Sequence, residues 1–292
     1  MQHRVFSPRR VAAIAGNTFT ELTRLKVFYM LLIFALVLIG SSLFMARLSF
    51  QQEFQVLKDV SLGAMSIFTS LLAIVTAARL LPQDIEDKTV YTILAKPVPR
   101  FEYVAGKLLG VAMLLAISLA VMTVLFFAVL YLRHSSAASV VAQQMSGAPT
   151  EQVADALRQL HAATFSGNLA PGIAVILMKA CLLAALTLFI STFATSSTFT
   201  IVVTVFVYFI GHLQATAREF WLEEQGASWM ARGFLAVVAL IFPDLHLFDF
   251  ADEIAAGATI PLAVILNTLA LGWFYVVIYL LLAIAVFTGK EL

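Results

Sequence analysis

Charged residues are scarce in this 292-residue sequence: they make up 12% of it, hydrophobic residues make up 61%, and the mean hydropathy is +0.96. A typical soluble domain carries about 25% charged residues, so this chain has too little polar surface to be one. The composition therefore predicts a polytopic membrane protein. The net charge of +1 adds little, because in membrane proteins the distribution of charge between the two sides matters more than the total.

Cysteine and catalytic motifs are also scarce. The single Cys181 cannot form an internal disulfide bond. The Gly-Lys pairs at Gly106 and Gly289 lack the G-x-x-x-x-G-K-[ST] pattern that cradles nucleotide phosphates. The five histidines have no metal-ligand spacing, and no Gly-x-Ser-x-Gly motif occurs. We therefore expect that the chain is not an enzyme, and that it holds no cofactor, metal ion or nucleic acid.

Long apolar runs are what the sequence contains instead. A helix that crosses about 30 Å of hydrocarbon needs about 20 mostly apolar residues. Six runs meet this requirement, at residues 27–46, 61–81, 108–132, 170–191, 195–213 and 261–287. With no repeat, low-complexity tract or soluble domain beside them, residues 1–292 are predicted to form a single all-α membrane domain.

The N-terminal stretch predicts a helix that precedes the first span. Ser7 and Pro8 suit its start, and apolar residues then recur at spacings of three and four from Val11 to Leu25, with basic residues around them. Such a helix suits the membrane interface. A solvated lead-in to the first span is the alternative.

The distribution of lysine and arginine predicts the orientation. With the N-terminus in the cytoplasm, eleven of the eighteen basic residues lie on the cytoplasmic side, as the positive-inside tendency requires. Both termini are then cytoplasmic, and we expect a multi-pass protein of the cell's inner (plasma) membrane. No cleavable signal is predicted, because the first apolar run starts only after about 26 residues with five basic ones.

Two of the predicted external loops have internal structure. Residues 133–169 form a polar loop in which the spacing of Val153, Leu157 and Leu160 predicts a short surface helix over 150–163, within an otherwise flexible connector. Residues 214–260 are acidic and include an apolar run at 233–242 that is too short to span. It is predicted to be a re-entrant segment packed against other spans; a peripheral helix on the outer surface is the alternative.

Lys179 is the one charge inside a predicted span. A charge at mid-bilayer is expensive, so a lysine there is a functional candidate. Because it lies only nine residues after Ala170, snorkelling of its amine to the outer interface is the alternative, and the favoured one.

A polar segment at residues 78–110 interrupts two strongly apolar runs and holds nine charged residues. Pro82 suits the first turn of a helix over 83–95, which Pro97 and Pro99 then stop. A short helix across the membrane surface and a turn back into the bilayer are predicted. The acidic residues near the start of this helix suit its dipole, although solvated charges without a partner are the alternative.

The same segment resembles the first cytoplasmic loop of ABC-2-type permeases, which are the membrane subunits of ABC transporters with separate ATPase chains. The matching residues are Asp84, Glu86, Lys88, Thr89, Leu94, Lys96, Pro97, Val98, Arg100, Gly106 and Lys107. Residues 240–250 are similar to the proline-containing external segment before the last span of those permeases. Together with the arrangement of spans, the resemblance covers most of the chain.

The resemblance implies that residues 83–95 form a coupling helix in a groove of a cytoplasmic ATPase subunit. The candidate contacts are Gln83, Asp84, Glu86, Lys88 and Thr89. Lys96, Pro97, Pro99 and Arg100 would set the angle at which motion enters the third span. A smaller contact is expected at residues 195–200. ATP and Mg²⁺ are then held by the partner subunit, and a second permease copy or paralogue completes the transporter.

Export is the direction that the resemblance implies, and the sequence leaves the substrate open. An ion-coupled carrier working alone and a membrane scaffold without transport activity are the alternatives. A carrier of that kind usually requires paired ionisable residues near the bilayer centre, and in the sequence only Lys179 approaches this.

Overall fold

A computed structural model of the chain describes residues 7–48, 53–86, 99–146, 149–223 and 242–289. These residues are almost entirely helical and contain no strand. The elements in chain order are α1 (Pro8–Thr23), α2 (Lys26–Leu48), α3 (Glu53–Glu86), α4 (Arg100–Gln144), α5 (Thr150–Thr164), α6 (Leu169–Phe193), α7 (Ser197–Glu223), the 3-10 helix η1 (Leu245–Phe248), α8 (Ala251–Ala255) and α9 (Leu262–Gly289).

Six of these helices contain stretches that are long and apolar enough to cross a membrane, namely α2, α3, α4, α6, α7 and α9. The all-α prediction with six spans is thereby confirmed. The start of α4 and the end of α9 meet, because Arg100 hydrogen-bonds to the backbone of Thr288. We call the side of the bundle where α1, the end of α3, the start of α4 and the end of α9 lie the α1 face.

The spans divide into central and peripheral helices. The most apolar windows of α3 and α6 are 72% and 67% buried, whereas those of α2 and α9 are 22% buried. The outer surfaces of α2, α7 and α9 expose large apolar side chains such as Ile33, Phe206 and Trp273. Such surfaces suit contact with lipid, so α3 and α6 form the inner core and the others face outward.

α1 confirms the predicted N-terminal helix. Ser7 occupies the N-cap position and Pro8 begins the first turn, where its missing N–H costs nothing. The buried stripe of α1 packs against α4 where α4 has Gly106 and Gly110, and a Cβ on either glycine would overlap Ile14 or Thr18. The apolar stripe of α1 therefore faces α4.

α3 corrects one predicted boundary. Pro82 was expected to begin a separate helix, but α3 runs through Pro82 and ends at Glu86. A proline removes its own hydrogen bond to the residue four positions earlier and crowds that carbonyl, and here the burial of Leu81 and Pro82 in the bundle offsets this local cost. Residues 83–86 are thus the last turn of the second span, and the remainder of the predicted coupling helix, 87–95, lies outside the described residues.

α4 is much longer than the span predicted at residues 108–132. Its 45 residues extend about 65 Å. A flexible connector was predicted after residue 132, and this prediction is wrong as far as Gln144, because the helix continues to that residue. The physical reason is local: no glycine or proline occurs between 133 and 144, so nothing in this stretch breaks the helix. The predicted surface helix is confirmed as α5, which packs back on the extension of α4.

The segment before the last span folds into the bundle. Within residues 242–255, η1 and α8 contact α3, α6 and α7. Three glycines on the spans accommodate this segment: Gly211 lies under Leu245, Gly272 under Phe248 and Gly172 under Ile254. The run at 233–242 that was predicted to be re-entrant lies outside the described residues except for Phe242.

Candidate functional site

The last turn of α3 is joined to the first turns of α4 by a buried ion pair. Asp84 is 7% exposed, and its Oδ2 lies 2.6 Å from Nζ of Lys107. The Tyr103 hydroxyl donates a hydrogen bond to the same carboxylate oxygen. Lys107 also lies 3.5 Å from the carboxylate of Glu21 on α1, so three helices meet at one ammonium group.

A second ion pair fixes the N-terminus of α1 to α4. Arg10 donates from Nε to Glu102 at 2.6 Å and from Nη2 to its other carboxylate oxygen at 2.8 Å. The backbone N–H of Ser7 donates to Glu102 as well, at 2.9 Å. The hydrogen bond with Glu102 raises the pKa of the Arg10 guanidinium. This fork geometry fixes the orientation of both side chains.

A third contact reaches the last span. Arg100, the first residue of α4, donates hydrogen bonds from Nη1 to the carbonyl oxygens of Phe287 and Thr288, at 3.1 and 2.7 Å. Its guanidinium also lies over the Phe287 ring, 6.0 Å from the centroid. The Tyr103 ring also stacks on the Phe287 ring, with 5.8 Å between the two ring centroids. Carbonyl groups at the end of a helix have no partner within it, and Arg100 supplies one.

We call this set of residues the loop junction: Arg10, Glu21, Asp84, Arg100, Glu102, Tyr103, Lys107 and Phe287. It ties together α1, α3, α4 and α9 directly on either side of residues 87–98. A displacement of the intervening segment would therefore act on two spans at its own ends and, through them, on α1 and the last span. The loop junction consists of ion pairs and hydrogen bonds between helices, so its role is to hold these helices together mechanically.

The residues predicted as ATPase contacts lie in different environments. Glu86 is exposed at the end of α3, Gln83 is half-buried, and Asp84 faces inward. Arg100 lies at the start of α4 with its side chain on α9. Lys88, Thr89, Lys96 and Pro97 lie outside the described residues. Glu86 is thus the predicted residue that the structure places at the surface, whereas Asp84 belongs to the interior of the loop junction.

Sequence reasoning singled out neither Tyr103 nor Glu102 nor the two residues of α1, Arg10 and Glu21. One signal was present: Arg100, Tyr103 and Lys107 follow a spacing of three and four, which places them on one face of a helix. The partners on α1 and α9 are distant in sequence, and no local pattern identifies them.

The link between α6 and α7 is short. α6 ends at Phe193 and α7 begins at Ser197, inside the stretch 195–200 where a second contact was predicted. The Ser196 hydroxyl accepts a hydrogen bond from the N–H of Phe199 at 3.2 Å and so caps α7. Ala194 and Thr200 are buried, which leaves residues 195–199 as the part of this link available to a partner.

A second polar group lies deep in the bundle around Lys179. The side chain is 1% exposed, and its amine donates to the Ser66 hydroxyl at 3.2 Å and lies 3.6 Å from Oδ2 of Asp249. Snorkelling to the outer interface was the favoured prediction, and it is wrong: the amine is held by α3 and by the segment that precedes the last span. We call Lys179, Ser66 and Asp249 the lysine junction.

Further polar side chains border the lysine junction from α7. The rings of Tyr208 and His212 lie one turn apart, tilted at 45° with 4.3 Å between their centroids, and Nδ1 of His212 lies 3.0 Å from the Tyr208 carbonyl oxygen. The Tyr208 hydroxyl is hydrogen-bonded with Ser70 on α3. A tyrosine and an imidazole therefore lie near the buried amine, whose direct partners are Ser66 and Asp249. Among the described residues, no group of three or more His, Cys, Asp or Glu side chains is arranged to hold a metal ion.

The sequence profile of one protein family matches most of the chain. The profile is described as "ABC-2 family transporter protein", and it covers residues 45–285. Individual curated proteins give no match. The matched region contains five of the six apolar helices, with the last turn of α9 left out, and only the end of α2, whose apolar stretch Lys26–Phe44 precedes it. It also contains both junctions except for the residues of α1 and Phe287.

Proposed function

Since the chain belongs to the ABC-2 family of transporter proteins, we propose that it is the permease subunit of an ATP-driven exporter and couples to separate ATPase subunits through residues 83–100. ATP and Mg²⁺ are held by those ATPase subunits. The permease subunit supplies the membrane path and the mechanical connection to it.

The Asp84–Lys107 ion pair carries this proposal. It joins the two helices that flank residues 87–98, it is buried, and Tyr103 and Glu21 complete it. Breaking one partner of a buried pair is strongly unfavourable, so α3 and α4 move together at this end. A partner that displaces the segment between them therefore moves both spans as one body.

The connection extends from these two spans to the rest of the α1 face. Arg10 and Glu102 attach α1 to α4, and Arg100 attaches the end of α9. α6 ends on the same face, one short link before α7. Force applied at residues 87–98 thus reaches four helices through polar contacts of 2.6 to 3.5 Å.

Glu86 is the proposed surface contact for the ATPase. It is exposed at the end of α3, next to the segment with Lys88, Thr89, Lys96 and Pro97. Asp84 is assigned a different role from the one first predicted: it positions α3 on α4 and leaves the contact with the partner to its neighbours.

The α1 face is the cytoplasmic face in this proposal. The distribution of lysine and arginine in the sequence assigns eleven of the eighteen to the cytoplasmic side, which agrees with the positive-inside tendency. Both termini are then in the cytoplasm, in the inner (plasma) membrane. The transporter forms from two permease subunits, either two copies of this chain or this chain and a paralogue, which together supply the path for the transported molecule.

Two variants separate binding of the ATPase from coupling to it. The chain is co-purified with candidate cytosolic ATPases, and the ATPase rate of any complex is measured in vesicles. Glu86→Lys is expected to weaken the complex, because it reverses a surface charge. Asp84→Asn is expected to leave the complex intact and to lower stimulation of ATP hydrolysis by the permease. Arg158→Glu, which alters an exposed side chain on α5, serves as the charge-changing control.

Failure of the chain to bind any ATPase would overturn the coupling proposal. So would an ATPase rate that stays at the wild-type level in both the Glu86→Lys and Asp84→Asn variants. One observation favours the carrier alternative, namely that Lys179 has a carboxylate partner in Asp249, as ion-coupled carriers require. Transport driven by a proton or sodium gradient in vesicles without ATP would support that alternative.

A further inference from the structure

The amine of Lys179 lies in the middle of the span α6. The residue is ten positions after Leu169, where α6 begins, and fourteen before Phe193, where it ends. At 1.5 Å per residue this places it about 15 Å along the helix axis from the end of α6 that lies away from the α1 face. A buried lysine at this depth costs several kcal/mol unless its charge is paired.

The carboxylate that pairs with this lysine does not belong to a spanning helix. Asp249 follows η1 in the segment 242–255, and its side chain is 39% exposed, whereas that of Lys179 is 1% exposed. The segment reaches this depth because Leu245, Phe248 and Ile254 pack over three glycines of the spans. Asp249 is therefore carried to the lysine by a short piece of chain that is separate from α6.

The pairing is incomplete as an ion pair. The separation of 3.6 Å between Nζ and Oδ2 is longer than the 2.7 to 2.9 Å of a charge-assisted hydrogen bond. An ammonium group has three donors, and the Ser66 hydroxyl accepts one of them at 3.2 Å. Any movement that lifts the segment 242–255 leaves a positive charge facing the vacated space, and another anion or water must then replace Asp249.

Resting on the transport function proposed above, we infer that Lys179 binds an anionic group, a carboxylate or a phosphate, of the transported molecule, and that Asp249 occupies the place of that group in this structure. Ser66 supplies a second polar contact from α3, and Tyr208 and His212 border the same space from α7. Three spans and the segment 242–255 thus surround the position of the anion.

Two further carboxylates lie near the lysine junction. Asp59 on α3 and Asp252 on α8 are close enough to each other to hydrogen-bond, and Asp59 lies near Asp249. These carboxylates are on the side away from the α1 face. They raise the free energy of an anion on that side, whether it approaches Lys179 or leaves it.

Binding to the purified full-length chain tests the inference without ATP or an ATPase. The probes are dodecyl phosphate and dodecanoate, with inorganic phosphate and acetate as soluble anions and dodecyltrimethylammonium as the cationic control. The readout is the shift of the unfolding temperature as a function of probe concentration. We expect the anions to stabilise the chain and the cation to leave the unfolding temperature unchanged. Stabilisation by the dodecyl anions alone identifies an amphiphilic substrate, and stabilisation by the small anions identifies a soluble one.

Opposite effects of the two partners distinguish an anion site from a structural ion pair. Asp249→Asn removes the competing carboxylate, so half-maximal stabilisation is expected at about tenfold lower probe concentration, which corresponds to one hydrogen bond to a charged group. Lys179→Gln is expected to abolish the anion-dependent shift, and Lys179→Arg to retain it. The double variant Lys179→Gln with Asp249→Asn keeps the shape of the junction without its charges, and it is expected to fold and bind no anion.

Several results would overturn the inference. One is that the double variant binds the anions as well as Asp249→Asn does. Another is that Asp249→Asn and Lys179→Gln lose anion binding equally. The third is that neither the wild type nor Asp249→Asn shows an anion-dependent shift of the unfolding temperature. The ATPase co-purification fails or succeeds independently of these measurements. A chain that binds anions through Lys179 but no ATPase would therefore refute the coupling proposal alone.

Discussion

Arg100 donates a 2.7 Å hydrogen bond to the backbone carbonyl oxygen of Thr288, so the first residue of the third span holds the last turn of the sixth. The two residues are 188 positions apart in the sequence. Because the acceptor is a backbone carbonyl, the bond depends on the position of the end of α9 and not on the side chain of residue 288. The same guanidinium contacts the carbonyl and the ring of Phe287.

Arg100→Gln is expected to loosen the end of α9 without unfolding the bundle. The variant loses the charge and the second donor that reach Phe287 and Thr288, and the carbonyl groups at a helix end then depend on water. Hydrogen exchange at residues 284–289 should accelerate, while exchange in α6 stays unchanged. Arg100→Lys should give an intermediate rate, because lysine keeps the charge but lacks the planar fork. Unchanged exchange at the end of α9 in Arg100→Gln would contradict the assigned contact.

The Asp84–Lys107 ion pair is expected to contribute far more to stability than a surface pair. Lys107→Met leaves the buried carboxylate of Asp84 without its ammonium partner, and the loss should be about 3–5 kcal/mol in the free energy of unfolding. Denaturation of the purified chain measures this value. The matched control is Arg158→Ala, which breaks an ion pair whose side chains are 82% and 67% exposed. That pair should contribute less than about 1 kcal/mol.

A double-mutant cycle on the same pair provides the second measurement. The double variant Asp84→Asn with Lys107→Met should lose less unfolding free energy than the two single variants lose in sum. Each single variant leaves one buried charge without its partner, whereas in the double variant both side chains are neutral. Strict additivity would show that the two side chains do not interact in the folded chain.

The sequence predicted the spans well because hydropathy is a local property. Each apolar run that crosses the bundle is contiguous, and no partner is needed to recognise it. Local rules gave wrong results where a helix continued past its apolar part. Pro82 was expected to start a helix and lies inside α3 instead, and α4 continues through a polar stretch to Gln144. At Pro82 the packing of neighbouring helices decided the boundary, whereas α4 continues because its polar stretch contains no glycine or proline.

The junctions were beyond sequence reasoning for a different reason. Arg10 and Glu102 are separated by 92 positions, and Lys179 and Ser66 by 113. A charge in a span signals that a partner exists, but it does not identify the partner. The sequence thus indicated that Lys179 was unusual, and only the fold showed that its amine meets Asp249 and not the membrane surface.

The orientation of the chain can be determined by labelling intact cells. In a Cys181→Ser background, single cysteines replace Glu86 on the α1 face and Arg158 on α5, both of which are exposed. A membrane-impermeant maleimide should label Arg158→Cys in intact cells and Glu86→Cys only after permeabilisation. The reverse pattern would place the loop junction outside the cell, where no ATP-driven partner could reach it.

The packing of α1 against α4 predicts that alanine lowers stability at the glycines of α4 that face α1, but not at a glycine with free space around it. A Cβ at Gly106 would lie 2.8 Å from Cβ of Ile14, and one at Gly110 would lie 2.7 Å from Cβ of Thr18. Gly106→Ala and Gly110→Ala should therefore push α1 away from α4 and cost about 1–3 kcal/mol in the free energy of unfolding, the usual range for overpacking.

Gly63 on α3 provides the matched control for these two variants, because a Cβ there meets nothing within 4 Å. In a helix interior alanine is favoured over glycine by about 1 kcal/mol, so Gly63→Ala should leave stability unchanged or raise it. The denaturation midpoints of the three variants measure the difference. If Gly106→Ala and Gly110→Ala were as stable as Gly63→Ala, α1 would not pack on α4. The ion pairs of Arg10 and Lys107 with residues across that interface would then lose their structural basis.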